Sequence, residues 1–321
     1  MILTRLQNIA ILGGLGHIGS GWIRKLSYSL PNVKVTVIDN LMTQRFNSLY
    51  SKPSNVTKFI EMDVRNPRLS EAILNSEFVF HFAAITNSDP KLNDLESIIS
   101  NNLASTINVI DACAQHDIPL IFPSSTSVYE KNDGQVNEST EIAAPSNPYS
   151  LGKYLEEEKL KAYSKSLVLR LGTIHGISPG MRFHTAVNKF CWEAVNNIPI
   201  SLWKNSAYKT SPYLGLNDLY SILNSIIMNN FDTHALKLVN LVSHNSTPHK
   251  VFEEIHKCLP KTELKFIDED RARSKNLIVT SEIAGLEKNM KATSLGSDIL
   301  ETINLLTKEN FSWNEYYRRN T

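Results

Sequence analysis

Cysteine is scarce in this chain. Cys113, Cys191 and Cys258 lie far apart among 321 residues with no Cys-x-x-Cys pair, which argues against a disulfide framework and thiolate zinc sites. Charge of one sign is lacking too, since 33 Lys plus Arg stand against 32 Asp plus Glu, a net charge of +1. Proteins that hold nucleic acid by its phosphates carry a basic surplus, so no nucleic-acid partner is expected. Long apolar runs are also missing. No window reaches the roughly 18 uninterrupted apolar residues of a membrane span. The opening MILTRLQNIAILGGLG runs into glycines before a signal-peptide core forms. Repeats and low-complexity tracts do not occur, which disfavours solenoids and propellers. With 42% apolar and 20% charged residues, the expectation is a globular, cytoplasmic protein with reduced thiols, no metal and no membrane association.

What the first half does have is alternation. Short, almost wholly apolar runs at Asn8 to Leu12, Val33 to Ile38, Lys58 to Met62, Phe78 to Phe82, Leu120 to Pro123 and Leu167 to Leu171 read as parallel strands covered on both faces. Helical patterns fall between them, near His17 to Ser29, Leu92 to His116 and Tyr149 to Tyr163. This β-α-β rhythm predicts an α/β fold, a doubly wound parallel Rossmann sheet. After Gly172 the rhythm changes, with helices predicted near Ala186 to Asn196 and Leu216 to Asn230. Residues 1–172 are therefore read as a cofactor domain and 173–321 as a smaller mixed α/β substrate lobe. The boundary is soft, because later segments can return to the first sheet.

The first predicted strand leads into Gly13-Gly14-Leu15-Gly16-His17-Ile18-Gly19, a G-x-x-G-x-x-G turn that opens a helix. Glycines at such a turn let the backbone approach a pyrophosphate, which rests on the unpaired N–H groups and positive end of the helix. Asp39 closes the second strand, 20 residues beyond Gly19, near the spacing of an acid that accepts ribose hydroxyls. Its charge disfavours a 2′-phosphate, so NAD is expected over NADP, although Arg45 leaves the phosphorylated cofactor open.

Tyr149 and Lys153 form the only Tyr-x-x-x-Lys in the chain, at the start of a charged helix. Side chains at i and i+4 share a helix face, so the ammonium can favour the phenolate that an acid-base catalyst uses. Upstream, the strand ending at Pro123 delivers Ser124-Ser125-Thr126-Ser127-Val128-Tyr129 to the edge where open α/β sheets bind ligands.

In combination GGLGHIGS (13–20), VIDNL (37–41), MDVRN (62–66), FHFAA (80–84), NLAST (102–106), SSTSVY (124–129) and YSLGK (149–153) resemble the extended short-chain dehydrogenase/reductases of the nucleotide-sugar epimerase and dehydratase type. The resemblance implies Tyr149 as acid-base residue, Lys153 as its electrostatic partner and ribose ligand, and Ser125 as the hydroxyl orienting the sugar. It implies Gly13, Gly16 and Gly19 at the pyrophosphate with His17 and Ile18, and Asp39 and Asn40 at the ribose. Asp63 and Val64 would lie beside adenine, Ala83 and Ala84 along the cofactor channel, and Asn102 behind it, with His81 structural.

Three reactions compete within that resemblance. Family 4,6-dehydratases carry Asp-Glu where Thr126-Ser127 stand, and neither hydroxyl can replace a carboxyl acid or base. A 4-epimerase passing through a 4-keto sugar needs only the residues present, and a C4 dehydrogenase or reductase would use the same ones. A non-catalytic NAD-binding sensor or scaffold is the alternative from another class. Thr173 stands where Asn is common, Ser211-Pro212-Tyr213 where Arg-Asp-Tyr is common, and Glu130 where Gly is common. With those diphosphate ligands replaced, Thr126, Thr173, Arg182, Arg271 and Arg273 are the expected substrate contacts. A nucleotide-diphosphate sugar is the implied substrate, and a homodimer the implied assembly.

Overall fold

The computed structural model describes residues 7–45, 48, 53–86, 95–228, 237–268, 275–283, 290 and 293–308. In its first half the chain runs through β1 (Asn8–Leu12), α1 (His17–Ser29), β2 (Lys34–Asp39), β3 (Val56–Glu61), α2 (Leu69–Ile73), β4 (Phe78–His81), α3 (Leu95–Gln115) and β5 (Leu120–Ser125). A 3-10 turn, Thr126–Tyr129, continues from β5 into β6 (Gly134–Val136), α4 (Pro148–Leu160) and β7 (Ser166–Leu171). The remainder comprises β8 (Thr173–His175), α5 (Ala186–Val195), β9 (Ile200–Trp203), β10 (Ser211–Gly215), α6 (Leu216–Ile227), β11 (Leu238–Leu241) and β12 (His244–Ser246). It ends with α7 (Pro248–Cys258), β13 (Leu264–Ile267), β14 (Leu277–Val279) and α8 (Leu295–Lys308). Among the described residues, no helix is long and apolar enough to cross a membrane.

Seven parallel strands form the central sheet in the order β3-β2-β1-β4-β5-β7-β11, with pairs such as Ile11 to Val37 and Ile11 to Phe80 fixing the register around β1. The strands read as continuous apolar runs because both faces are covered. One face packs Trp22, Leu26, Phe80, Leu169 and Ile222 under α1 and α6, and the other packs Ala10, Val79, Val109, Leu120 and Leu160 under α3 and α4. Trp22 sits edge-on to Phe80, ring centroids 4.5 Å apart, which seats α1 above the strand order's reversal between β1 and β4.

Leu238–Leu241 was not among the strands expected from sequence, yet it pairs with Val168 to Leu171 and completes the sheet. Its pattern is broken by Asn240, whose side chain accepts from Tyr129 Oη at 3.1 Å and donates to the Thr280 carbonyl. Likewise β6 pairs with β14, tying the stretch before α4 to the late chain. A separate core of Val187, Cys191, Ile200, Val251, Ile255 and Ile299 lies among α5, α7, α8 and β9.

Candidate active site

Ligands in open α/β sheets lie beyond the carboxyl ends of the strands at the order reversal. Here a groove runs along that edge. Its larger part is a cavity of about 420 Å³ lined by Gly13, Gly16, His17 and Ile18, by Ser125, Tyr149 and Lys153, and by Thr173, Arg182 and Ser211. A smaller arm is lined by Asp39, Asn40, Asp63, Val64, Ala83 and Ala84. Gly13, Gly16, Phe82, Ala84 and Arg182 line both parts. Residues from nearly the whole span between 13 and 211 thus share one surface.

The glycine turn owes its shape to steric need. Gly13 has φ +71°, and a Cβ there would lie 2.5 Å from the Ala83 backbone nitrogen. Gly16 instead faces the groove, where only the Gly13 carbonyl stands within 4 Å of an added Cβ. Gly19 does not line the groove. A Cβ on it would meet Gly14 Cα at 2.7 Å, so it lets α1 pack on the turn. Asp39 accepts from the Leu15 and Leu41 N–H groups at 3.1 and 2.9 Å, one on each carboxylate oxygen, leaving further lone pairs toward the groove. Asn40 donates to Asp63, and Arg65 holds the Asp63 carboxyl well below the usual carboxylate range through a two-pronged hydrogen bond. Asn102 stands behind the wall, its amide clamping both backbone groups of Ile85 at 2.9 Å. These features fit a dinucleotide laid across the turn.

Tyr149 and Lys153 come from the first turns of α4. Asn147 caps that helix, its side chain accepting from the Tyr149 N–H at 3.0 Å, and Pro148 occupies the first turn, where its missing N–H costs nothing. Glu130 accepts from the Ser146 and Asn147 N–H groups at 2.6 and 3.0 Å. A glycine could not anchor the loop before the cap in this way. Ser125 ends β5 and accepts from the Ser127 N–H at 3.1 Å, which leaves its own hydroxyl hydrogen free to donate. Thr126 is turned toward the sheet and donates to the Leu171 carbonyl at 3.2 Å.

Beneath these residues lies a buried polar network that the sequence reading did not include. Glu157 accepts from Ser124 and forms a two-pronged pair with Arg170, closest at 2.7 Å, while Arg170 also donates to Tyr129 Oη at 2.6 Å. It links β5, the 3-10 turn, α4 and β7, the elements that carry Ser125, Tyr149 and Lys153. The spacing from Tyr149 to Glu157 resembles an ordinary exposed helical face, so nothing in the sequence marked it. Lys153 is itself buried, with Nζ 3.1 Å from Glu156 and 4.5 Å from the centre of the Phe122 ring.

The histidines around the cavity are held neutral. Burial, with Arg182 nearby, lowers His17 to about 3, and its Nδ1 is 2.6 Å from Ser178 Oγ. Burial and Lys153 lower His81 to about 3. Arg182 bonds to Thr86, its Nε has no partner, and burial followed by Arg45 lowers it to about 10. Arg45 donates to the Gly180 carbonyl at 2.7 Å. Arg271 and Arg273 lie outside the described residues.

Residues 9–210, more than half of the chain, match the profile of the NAD dependent epimerase/dehydratase family. The chain belongs to that family. It is 33% identical over 171 residues to a UDP-glucose 4-epimerase of Mycoplasma genitalium, covering 51% of this chain and 50% of that protein. With a dTDP-glucose 4,6-dehydratase of Mycobacterium tuberculosis it shares 27% over 197 residues, 60% of this chain and 59% of the relative. The chain thus spans about half the length of the curated relatives it matches. In fold it is similar to the UDP-N-acetylglucosamine 4-epimerase of Methanobrevibacter ruminantium, with a TM-score of 0.81 and 21% identity over 95% of this chain and all of the other.

Proposed function

We propose that this family member is an NAD-dependent nucleotide-sugar 4-epimerase. The observation that carries the reading is that Ser125, Tyr149 and Lys153 line the same cavity as the Gly13–Gly16 turn, with no carboxylate among that cavity's described lining residues. Acid-base removal of water across the sugar's C5 and C6 would call for a carboxyl group. Thr126 and Ser127 stand at the relevant edge, and the Thr126 hydroxyl is engaged by Leu171. Reversible oxidation at C4 needs only a hydroxyl base, a hydroxyl that orients the sugar and a hydride acceptor.

NAD, when bound, would supply that acceptor and return the hydride. Gly13, Gly16, His17 and Ile18 would hold its pyrophosphate against the N-terminus of α1, Asp39 and Asn40 its ribose, and Asp63, Val64, Ala83 and Ala84 the adenine arm. In this mechanism the Tyr149 phenolate takes the proton from the C4 hydroxyl and gives it back after the 4-keto sugar has turned over. Lys153 favours the charged phenolate electrostatically and donates to the ribose, and Ser125 donates to the reacting oxygen. Arg182 is the cation for the diphosphate: it lines both parts of the groove and keeps an unpartnered Nε. Thr173 contributes a hydroxyl beside it. We also infer a homodimer across α3 and α4, on which Ile107 is 38% exposed, and Ile107→Arg is then expected to lower the mass seen by light scattering.

The deciding experiment is release and mass analysis of the nucleotide that copurifies, then incubation with UDP-, GDP- and CDP-sugars without added cofactor. Bound NAD and a C4-inverted product are expected. Bound NADH with product only after a second substrate is added would replace this reading with a C4 dehydrogenase. Neither nicotinamide nor conversion would leave a non-catalytic binder.

A further inference from the structure

Three consecutive acids on α4 have three different surroundings. Glu158 pairs with Lys161 at the surface, and Glu157 belongs to the Arg170 network. Glu156 is 1% exposed and reaches Lys153 at 3.1 Å through Oε2, while its other oxygen accepts from Thr106 Oγ1 of α3 at 2.6 Å. A carboxylate taken this far from water is tolerated only when paired and hydrogen-bonded; here Lys153 pairs with Oε2, which takes no hydrogen bond among the described residues, and the one hydrogen bond is from Thr106 to Oε1.

Lys153 lines the cavity one helical turn beyond Tyr149. An isolated ammonium there would present Tyr149 with a full positive charge in a poorly solvated site. Paired with Glu156, it presents something closer to a dipole, whose influence falls off faster with distance. The other groups facing this spot do not restore the charge. From β4, His81 is neutral, and the β5 edge presents the Phe122 ring, Pro123 and hydroxyls, none of them charged. On the β7 side Arg170 is matched by Glu157. Among the described residues, Arg182 in the segment between β8 and α5 interacts electrostatically with Tyr149, and the Glu130 carboxylate lies at the start of α4 against Ser146 and Asn147.

We propose that Glu156 is a positioning residue that holds the Lys153 ammonium against Phe122 and tempers the positive charge acting on Tyr149. The proposal rests on the reading of Tyr149 and Lys153 as an acid-base pair. Glu156 thereby sets the pH range in which Tyr149 can serve as both base and acid, while Thr106 fixes which carboxylate oxygen meets the lysine.

The test is a titration of phenolate absorbance on the full-length protein with its copurified nucleotide. Subtracting the curve of the matching Tyr149→Phe background isolates Tyr149 among 11 tyrosines. Glu156→Gln keeps the shape and the acceptor for Thr106 but removes the charge, and it is expected to move the midpoint about one pH unit lower, a tenfold change in ionisation constant. The acid limb of kcat/KM moves with it. Glu156→Asp keeps the charge at shorter reach and gives a smaller shift in the same direction, which also serves if the Gln variant does not fold. An unmoved midpoint in a folded variant overturns the proposal even if activity falls. If the midpoint moves but Tyr149→Phe still turns over substrate, the acid-base assignment fails and the electrostatic role of Glu156 stands.

Discussion

At the turn after β1 the groove wall is glycine backbone, whereas at the β8 and β10 end it is made of side chains brought from separate segments. Gly13 and Gly16 belong to one turn, fixed by a positive φ and by the closeness of the Ala83 backbone. Thr173, Arg182, Ser211 and Pro212 reach the cavity from β8, the stretch after it, and β10. A backbone wall tolerates few sequences, because any Cβ at Gly13 collides with a neighbouring strand end. A side-chain wall can change its chemistry one residue at a time while the strands beneath it stay in place. The first end is accordingly suited to a constant ligand and the second to a ligand that differs between relatives.

Breaking the chemistry between those ends should have the largest effect. Tyr149→Phe removes the only phenol hydroxyl lining the cavity among the described residues, and turnover should fall at least about a hundredfold, or roughly 2.7 kcal/mol of barrier. Steady-state rates on the accepted sugar check this, and a loss below about tenfold would contradict the assignment. At the backbone end, Asp39→Ala removes the acceptor on Leu15 and Leu41 and the candidate ribose ligand together. NAD affinity should weaken by about 1.5–3 kcal/mol, the range for hydrogen bonds to a charged group, read by calorimetry on stripped protein. At the side-chain end, Arg182→Met should raise KM for the sugar nucleotide about tenfold and leave NAD affinity within about threefold. A loss of NAD affinity with KM unchanged would show that Arg182 serves the backbone end instead.

The same contrast decides what could be read from the sequence. Strands β1, β4 and β5 were legible because burial on both faces leaves continuous apolar runs, and the glycine turn because its requirement is local. Strand β11 was not, since Asn240 interrupts it to bond Tyr129 and Thr280, a reason visible only once three distant segments meet. Arg45, left open as a partner for a 2′-phosphate, is used by the Gly180 carbonyl. Glu130 looked like a departure from the family pattern at a turn, and its carboxylate proves to hold the loop that leads to Tyr149. Glu156 and Glu157 belong to what the sequence shows only as a charged helix, because helix periodicity gives no sign that Thr106 of α3 and Arg170 of β7 meet them.

The least disruptive way to separate the ends is pH, since it needs no substitution. His17 at the turn and His81 at the end of β4 are both lowered to about 3 from an ordinary value of 6.5, chiefly by burial. Each is neutral in the folded chain and takes a proton on unfolding, so its contribution is intact above about pH 6.5 and is lost as pH falls toward 3. Between pH 6.5 and 5.5 each histidine should cost about 1 kcal/mol, measurable as a falling Tm. His17 lies against Ser178 and the dinucleotide wall, whereas His81 faces Phe122 and Lys153. Saturating NAD should therefore raise Tm across this range without flattening its slope, because the ligand adds binding energy while the two histidines remain neutral. A slope that vanishes in His17→Asn and persists in His81→Asn would place the acid-sensitive point at the cofactor turn alone.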